Sequence, residues 1–327
     1  MSNRTMRAIR FNEYGGTEVL ELEEIREPLP ESNEVQVEVK SASVNPVDVH
    51  FRRGTYKVDS LPKKPGSDFA GIVKSTGEKV NEFKEGDRVF GTGIGKSPNG
   101  SYAEYLTVDQ TKLARLPDNI LFNEGAGIAL VGVTAYRALI SHGKLEPKDS
   151  VLIHGGNGGV GHVAIQLAKS IGADVLTTVG SDRYKEKMEK LGADFVFNYN
   201  SETLKKDIIE ARRPNLILDH MLDKYLEIDI DLVSDFGKII GIGETDNVEI
   251  KNPAVARNKE LNVSFMSMFN TPSFRDILRE LKGLMDKNKV RPILNKSYRL
   301  EEAAEAQRKI IEDSFLGKLI IKPQKTK

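Results

Sequence analysis

Apolar positions along the chain change their spacing near residue 123. Before that point, short apolar runs are separated by Gly and Pro, which is typical of β-strands joined by turns. After it, apolar runs alternate with stretches in which apolar residues recur every three or four positions, as on one face of a helix. The pattern predicts a β-rich first part followed by an α/β part.

The strands predicted in the first part are residues 6–11, 34–43, 69–75 and 102–108. In the α/β part, a strand at 150–154 precedes a helix whose apolar stripe consists of Val160, Val163, Ala164, Leu167, Ala168 and Ile171. Further strands are predicted at residues 174–179, 195–198, 215–219, 237–242 and 262–266, with a helix at 183–191. This alternation predicts a parallel, doubly wound sheet. The tail is predicted to form helices at 274–287 and 300–312 and a strand at 318–321.

The chain has 327 residues, with 48 Lys and Arg against 48 Asp and Glu. This balance gives no overall field that would attract nucleic acid or an anionic membrane surface. No apolar run approaches the ~20 residues that a membrane-spanning helix needs. The first residues also lack the apolar core of a signal peptide. We therefore expect a folded, cytoplasmic protein that binds neither nucleic acid nor membrane.

Cysteine is absent from the sequence. Its absence removes disulfides, nucleophilic thiols and thiolate metal ligands. No two of the five histidines lie within five residues of each other, so there is no local zinc-binding spacing. We expect no metal site.

A glycine-rich loop lies between the strand predicted at 150–154 and the amphipathic helix after it. It consists of Gly156, Asn157, Gly158, Gly159, Val160 and Gly161. Glycines at this spacing allow a tight turn, a close approach of the backbone to a pyrophosphate, and close packing of helix on strand. The start of the helix adds free N–H groups for the anion. A plain strand-to-helix turn is the alternative, but the flanking elements favour a dinucleotide-binding loop.

The end of the next predicted strand indicates which dinucleotide binds. NAD-binding proteins usually carry Asp or Glu there, to bind the ribose 2′-hydroxyl, whereas this strand ends at Gly180 and Ser181. Asp182 follows, where an N-cap role explains it equally well. Ser181 with Arg183 and Lys185 suits a 2′-phosphate, although both cations could instead be ordinary solvated helix charges. We predict NADPH as the cofactor.

Several segments, in order along almost the whole chain, resemble the zinc-free quinone oxidoreductase (zeta-crystallin-like) branch of the medium-chain dehydrogenase/reductase family. The segment from Asp149 to Lys169 is similar to that family's cofactor-loop signature. Further similar segments are residues 45–48 with Arg52 and Gly54, 65–71, 86–91, 102–105, 132–136 and 317–318.

The resemblance implies an α/β protein in which a Rossmann domain is inserted in a β-rich, GroES-like catalytic domain. The catalytic domain would comprise residues 1–123 and 271–327, and the Rossmann domain residues 124–270. Zinc-dependent relatives hold their metal with Cys and His near the positions of Asn45 and Ser67. The residues found here, and the absence of cysteine, predict a zinc-independent protein.

The resemblance also implies roles for single residues. Asn45 would donate a hydrogen bond to the substrate carbonyl oxygen, and Asp48 would order the loop around Asn45. His50 stands where many relatives have Tyr, and is either a proton donor or a half-exposed residue of the site. The residues expected at the cofactor, besides the glycine loop, are Thr134, Ser181, Arg183, Lys185, Tyr199, Gly241, Ile242, Phe265, Met266 and Lys318.

The function implied is that of a homodimeric, zinc-independent reductase that transfers hydride from NADPH to quinones or α,β-unsaturated carbonyl compounds. A 2-alkenal or enone reductase without quinone activity is the nearest alternative. A zinc-dependent alcohol dehydrogenase is disfavoured because cysteine is absent. A non-catalytic NADPH-binding sensor or structural protein is the alternative of a different class.

Overall fold

The computed structural model describes residues 4–243 and 247–324. These residues divide into two compact units. Unit 1 consists of the described residues up to Val133 and those from Pro272 onward, and unit 2 lies between them in sequence, from Thr134 to Thr271. None of the helices described is long and apolar enough to cross a membrane.

The described residues form strands and helices in both units. The strands are β1 Thr5–Arg10, β2 Glu21–Arg26, β3 Glu34–Ser43, β4 Asp68–Thr76, β5 Arg88–Gly91, β6 Tyr105–Asp109, β7 Leu113–Arg115, β8 Ser150–Ile153, β9 Asp174–Val179, β10 Phe195–Asn198, β11 Leu216–Asp219, β12 Lys238–Gly241, β13 Asn262–Phe265, β14 Leu294–Arg299 and β15 Lys318–Lys322. The α-helices are α1 Pro46–Arg53, α2 Phe122–Tyr136, α3 Gly161–Ile171, α4 Lys185–Lys190, α5 Leu204–Ala211, α6 Leu222–Leu232, α7 Pro253–Asn258, α8 Phe274–Asp286 and α9 Ala303–Glu312.

Unit 1 is built around the long strand β3. Its alternating residues Val35, Val37 and Val39 are fully buried in one apolar cluster, as expected for a strand with one face on the core. The sheet has the order β14-β15-β3-β4-β5-β7, and β6 pairs antiparallel with the first part of β3. The late strand β15 pairs antiparallel with the end of β3. Unit 1 therefore needs the C-terminal segment to complete its sheet.

Helix α2 contributes to unit 1 as far as Val133. Its glycines allow close packing: a Cβ on Gly125 would meet Leu116 and Ala70, and one on Gly127 would meet Leu294. Unit 1 thus extends to Val133, inside α2, because the apolar face of this helix covers the sheet of unit 1. The domain boundary expected at residue 123 stays a prediction.

Unit 2 contains a six-stranded, entirely parallel sheet in the order β10-β9-β8-β11-β12-β13. Its core joins sheet residues such as Leu152, Ile217 and Ile239 to helix residues such as Leu226. The predicted doubly wound sheet is confirmed. The strand order runs outward from β8 in both directions, so β8 and β11 flank the switch point at which such sheets bind ligands.

Candidate active site

The glycine loop follows β8 at the carboxyl edge of the unit 2 sheet. Gly155 donates its N–H to Thr178 Oγ1 (3.1 Å), and Gly156 donates to Thr178 O (2.8 Å), which ties the loop to the adjacent strand β9. A Cβ on Gly161 would collide with the backbone of Gly155. Only glycine therefore lets the start of α3 pack this closely on the turn.

The start of α3 leaves backbone donors unused. The N–H groups of Gly159 and Val160 donate to no other group in the described part of the chain. A Cβ at Gly158 would meet only the Gly155 carbonyl oxygen, at 3.1 Å, so its outer side is open. Free amides at the positive end of an 11-residue helix fit a dinucleotide pyrophosphate. The structure brings the predicted loop residues, Asn157 among them, into one such turn.

The residues predicted for the 2′-phosphate also come together. Ser181, Arg183 and Lys185 follow the end of β9, and Tyr199 follows the end of its neighbour β10. The Tyr199 hydroxyl lies so close to Gly180 that any side chain there would clash with it. The absence of a side chain at Gly180 thus leaves room for the Tyr199 hydroxyl at this strand end, while the Arg183 guanidinium donates to the Tyr184 hydroxyl (2.6 Å).

The charges at this strand end are paired but exposed. Lys185 Nζ lies 3.2 Å from Asp182 Oδ1, and Asn198 donates to the same carboxylate at 3.0 Å. These hydrogen bonds lower the pKa of the Asp182 carboxyl. Ser181, and not Asp182, occupies the N-cap position, so the alternative N-cap role for Asp182 is wrong. An exposed ion pair contributes little, so Lys185 can exchange Asp182 for a phosphate at small cost.

The residues predicted for the nicotinamide half lie mostly at neighbouring strand ends. Met266 donates its N–H to the carbonyl of Gly241 (2.8 Å), and Ile242 donates to Asp219 O (2.8 Å). Ile242 and Met266 are buried, whereas Phe265 is 68% exposed. Thr134 lies on another element, α2, where its side chain is buried.

A buried cluster of three ionisable side chains near the glycine loop was missed by sequence reasoning. His154 directly follows β8, Asp219 ends β11, and Asp229 lies in α6. His154 Nε2 is 2.8 Å from Asp229 Oδ1, and both side chains are almost completely buried. No local spacing relates these residues. They come together because β8 and β11 are neighbours in the sheet and because α6 packs beside these strands.

Unit 1 contains a second buried polar cluster, around Asn45. Asn45 Nδ2 donates to Asp68 Oδ2 (2.8 Å), and Asn45 Oδ1 accepts from Lys318 Nζ (2.5 Å). Asp48 Oδ2 accepts the N–H of Asn45 (3.0 Å), and its other oxygen accepts from Ser67 Oγ (2.7 Å). Asp48 thus orders the Asn45 loop, as expected. Lys318, expected at the cofactor, is buried in this cluster with its ammonium on Asn45 and on the Val44 carbonyl.

Burial governs the protonation of this cluster. Burial, together with the smaller effect of the nearby Asp68 carboxyl, raises the pKa of Asp48 to about 6. Burial raises the pKa of Asp68 as well, partly offset by the Lys318 ammonium. Burial lowers the pKa of Lys318, while the two carboxyls act in the opposite direction. Burial therefore shifts the pKa of each of these three groups in the direction that favours its neutral form.

His50 lies in the last turn of α1 and is half-buried. Its ring packs against that of Tyr56, with centroids 5.5 Å apart and planes tilted by 51°. In the part of the chain that the structure describes, no group of three or more His, Asp or Glu side chains is arranged to hold a metal ion.

Comparison with known proteins identifies the family. Residues 31–118 match the family described as alcohol dehydrogenase GroES-like domain, and residues 191–321 match the one described as zinc-binding dehydrogenase. The quinone oxidoreductase of Lama guanicoe is 36% identical over 327 residues, covering 97% of this chain and 98% of the relative. The human quinone oxidoreductase is 35% identical with the same coverage. The chain belongs to the quinone oxidoreductase branch of the medium-chain dehydrogenase/reductase family.

Solved structures of this superfamily share the whole fold. The Escherichia coli quinone oxidoreductase, solved in complex with NADPH, has a TM-score of 0.88 and 29% identity, and the match covers 97% of this chain and 100% of that one. An NAD-dependent alcohol dehydrogenase has a TM-score of 0.90 and 28% identity, covering 98% and 100%. The predicted combination of a GroES-like domain with a Rossmann domain is confirmed. As a member of this family, the chain is an NAD(P)H-dependent oxidoreductase.

Proposed function

We propose that this oxidoreductase uses NADPH to reduce quinones or α,β-unsaturated carbonyl compounds without zinc. The observation that carries the choice of cofactor is the end of β9, where Gly180 and Ser181 replace the usual acid and Arg183 and Lys185 follow. The E. coli relative whose structure contains NADPH supports the same choice. The curated relatives named quinone oxidoreductase support the substrate class.

Different residues of this chain would bind different parts of the cofactor. The free amides of Gly159 and Val160 would bind the pyrophosphate, and Arg183 and Lys185 the 2′-phosphate. When bound, NADPH supplies the hydride. The role of the protein is then to orient the substrate and to direct hydrogen-bond donors at the oxygen on which negative charge develops.

Asn45 and His50 remain the proposed groups at the substrate. Asp68 and Lys318 hold the Asn45 amide in one orientation, which suits a fixed donor. For an enone, hydride adds to the β-carbon and a proton, from water or His50, adds to the α-carbon. For a quinone, hydride and a proton together give the hydroquinone. In both reactions the substrate gains the two electrons that NADPH loses.

Steady-state oxidation of NADPH and NADH, each with a 1,4-quinone and with a 2-alkenal, tests the proposal. We expect NADPH to be oxidised faster than NADH without added zinc. Turnover of the 2-alkenal alone would favour the enone reductase. Binding of NADPH without turnover of either acceptor would favour the non-catalytic sensor, and activity that requires zinc would favour the alcohol dehydrogenase.

The cofactor assignment has its own test. Replacing Arg183 and Lys185 together by Ala should weaken NADPH binding by about tenfold or more and leave NADH binding nearly unchanged, since each cation would make a charge-assisted bond to the 2′-phosphate, which NADH lacks. Replacing Lys187 and Lys190 by Ala removes the same charge from the same helix and serves as control. If the Arg183 and Lys185 variant lost affinity for NADPH and for NADH equally, the assignment would be contradicted.

We also propose that two copies pair through strand β13. Within the described sheet β13 pairs only with β12, so its other edge is available, and its last residue, Phe265, is exposed. Val263→Lys should shift size-exclusion elution from dimer to monomer, whereas Val196→Lys on the opposite edge strand β10 should not. A dimer that persists in Val263→Lys would reject this edge as the interface.

A further inference from the structure

Three ionisable side chains are buried directly below the glycine loop. His154, Asp219 and Asp229 are each no more than 3% exposed. They come from β8, β11 and α6, at the switch point of the sheet. The chemistry proposed above uses none of them.

A continuous chain of contacts connects these residues to the loop. Asp229 Oδ1 lies 2.8 Å from His154 Nε2, and His154 Nδ1 lies 3.1 Å from Thr178 Oγ1. The same Thr178 hydroxyl accepts the N–H of Gly155 (3.1 Å), and the Thr178 carbonyl accepts that of Gly156. The ring of Tyr225 stacks on His154, with centroids 4.8 Å apart. The orientation of His154 is thus transmitted to the first residues of the turn.

The two carboxyl groups leave one oxygen each unsatisfied. Asp219 Oδ1 accepts the Met221 N–H (2.8 Å), and Asp229 Oδ1 is used by His154. Asp219 Oδ2 and Asp229 Oδ2 are buried and accept no hydrogen bond from a donor group in the described chain. The Asp229 carboxyl raises the pKa of Asp219, both through its charge and through a side-chain hydrogen bond. Because neighbouring buried carboxylates repel, one proton between them satisfies both free oxygens and removes the repulsion.

We propose that a proton shared by Asp219 and Asp229 holds the Asp229–His154–Thr178 chain in place and thereby positions the glycine loop for the cofactor pyrophosphate. The three residues are positioning residues, since none of them is assigned a contact with cofactor or substrate. The inference rests on the proposed function as far as the cofactor is concerned. The shared proton itself does not depend on it.

Electrostatics predicts the direction of the effect. Burial, and next the Asp229 carboxyl, raise the pKa of Asp219 to about 7. Loss of this proton adds a negative charge below a loop that binds an anion, so the deprotonated form should bind the cofactor more weakly. By linkage, cofactor binding must then raise the pKa of Asp219 further.

Other titratable groups also face this cluster. Burial, followed by the charges of His154 and Lys224, lowers the pKa of His220 to about 4. Burial raises the pKa of Tyr225, and Tyr199 with the two carboxyls adds to the rise. These shifts keep His220 neutral and Tyr225 protonated around pH 7. For His154, burial lowers the pKa, but the Asp229 carboxyl raises it by more, so that the pKa of His154 lies above its ordinary value. Asp219 is therefore the group to substitute.

The experiment is a titration of the full chain with NADPH, followed by cofactor fluorescence between pH 6 and 8. For the wild type we expect the Kd to rise about threefold to tenfold over this range, where tenfold corresponds to a shift of one pKa unit. Asp219→Asn keeps an acceptor for Met221 and a donor for Asp229 but has no proton to lose. Its Kd should stay close to the low-pH value of the wild type.

Two controls isolate the effect. Asp223→Asn removes an exposed carboxylate from the same helix α6 and should keep the wild-type pH profile. The 2′-phosphate of NADPH itself changes its protonation at about pH 6 and could alter binding. NADH lacks this phosphate, so a titration of the protein with NADH shows the effect of Asp219 without it. A pH profile of Asp219→Asn equal to that of the wild type would overturn the proposal.

A second measurement keeps the inference testable if the protein binds no NADPH, which would refute the proposed function. Infrared spectroscopy of the cofactor-free chain at pH 6 should show the carbonyl band of a protonated carboxyl group that is absent from Asp219→Asn. If the two spectra do not differ in this band, the shared proton does not exist.

Discussion

Lys318 brings a positive charge into the buried cluster of unit 1. Its ammonium contacts Asn45 and the Val44 carbonyl, and it attracts the carboxylates of Asp68 and Asp48. Zinc-dependent relatives are expected to place a metal ion near the positions of Asn45 and Ser67. In this chain a side-chain cation offsets the negative charge of that neighbourhood.

Removing this cation should be costly. Lys318→Met leaves the carboxylates buried without their partner, so we expect the free energy of unfolding in urea to fall by about 3–5 kcal/mol. The double variant Lys318→Met, Asp68→Asn should recover part of the loss because it also removes an anion. Lys322→Met, on the exposed end of the same strand, is the control. A loss in Lys318→Met no larger than in this control would show that the cation does not stabilise the cluster.

Substitution of two glycines of the loop should impair different properties, the stability of the fold in one case and NADPH binding in the other. In Gly161→Ala the new methyl meets the Gly155 backbone, so overpacking should lower the free energy of unfolding by about 1–3 kcal/mol. In Gly158→Ala the methyl meets only the Gly155 carbonyl oxygen, at 3.1 Å, so the free energy of unfolding should fall by no more than about 1 kcal/mol. NADPH should nevertheless bind about tenfold more weakly, because the methyl lies where the pyrophosphate approaches. Thermal unfolding and NADPH titration of both variants separate the two effects, and unchanged binding in Gly158→Ala would contradict the assigned loop.

At the scale of elements, periodicity identified several of the strands and helices that have an apolar face, but not the helices α5 and α6. The strand predicted at 34–43 is β3 itself, and that at 174–179 is β9. The short strands β5 and β7 were missed because four and three residues are too few to show alternation. Helix α1 was also missed. Its buried positions include Asp48 and Arg52, which an apolar pattern does not register.

Two glycines, one just after a helix and one inside a helix, give predictions of opposite sign. Gly172 ends α3 with φ 100°, and a Cβ there would meet only Pro147, at 3.6 Å. Gly172→Ala should therefore destabilise by about 1 kcal/mol through backbone strain alone. Gly283 lies within α8, has ordinary helical geometry, and would place a Cβ in open space. Gly283→Ala should stabilise by about 0.5–1 kcal/mol. The urea midpoints of the two variants should move in opposite directions, and shifts of the same sign would refute the argument.

At the scale of the whole molecule, the order of elements was predictable and their pairing was not. Alternating patterns indicated the parallel sheet of unit 2, and the resemblance supplied its insertion in a β-rich domain. The cluster around Asn45 combines Asp48, Asp68 and Lys318, the last of them 273 positions away in sequence. Such a cluster depends on β15 lying beside β3, a long-range pairing that no local spacing reveals. The same reason explains why His154, Asp219 and Asp229 were missed.

Both units contain an acid that folding keeps protonated. The pKa of Asp48 is raised to about 6 and that of Asp219 to about 7, from an ordinary value of 3.8. Between pH 4 and 7 the folded chain therefore holds protons that the unfolded chain has released. These two groups make the free energy of unfolding fall as pH rises through this range and level off above it. A carboxylate whose pKa is lowered by an ion pair has the opposite effect, because it makes the free energy of unfolding rise with pH.

Comparison of variants isolates this contribution. We expect the Tm of Asp48→Asn and of Asp219→Asn to fall less than that of the wild type between pH 5 and 8, since each substitution removes one of the two titrations. Differential scanning calorimetry in buffers of equal ionic strength is the measurement. Parallel Tm curves for the wild type and both variants would show that neither acid is protonated by folding.

The position of β15 also sets an order of assembly during synthesis. Unit 2 is one continuous stretch of chain, so all of its strands can pair as soon as residue 271 has left the ribosome. Unit 1 must wait for Lys318–Lys322, since this strand fills the place between β3 and β14 and carries the ammonium of the Asn45 cluster. Until then the edge of β3 that receives β15 is open. The nascent chain therefore passes through a stage at which the nucleotide-binding unit can be complete while the other sheet still exposes an edge that chaperones or another chain could occupy.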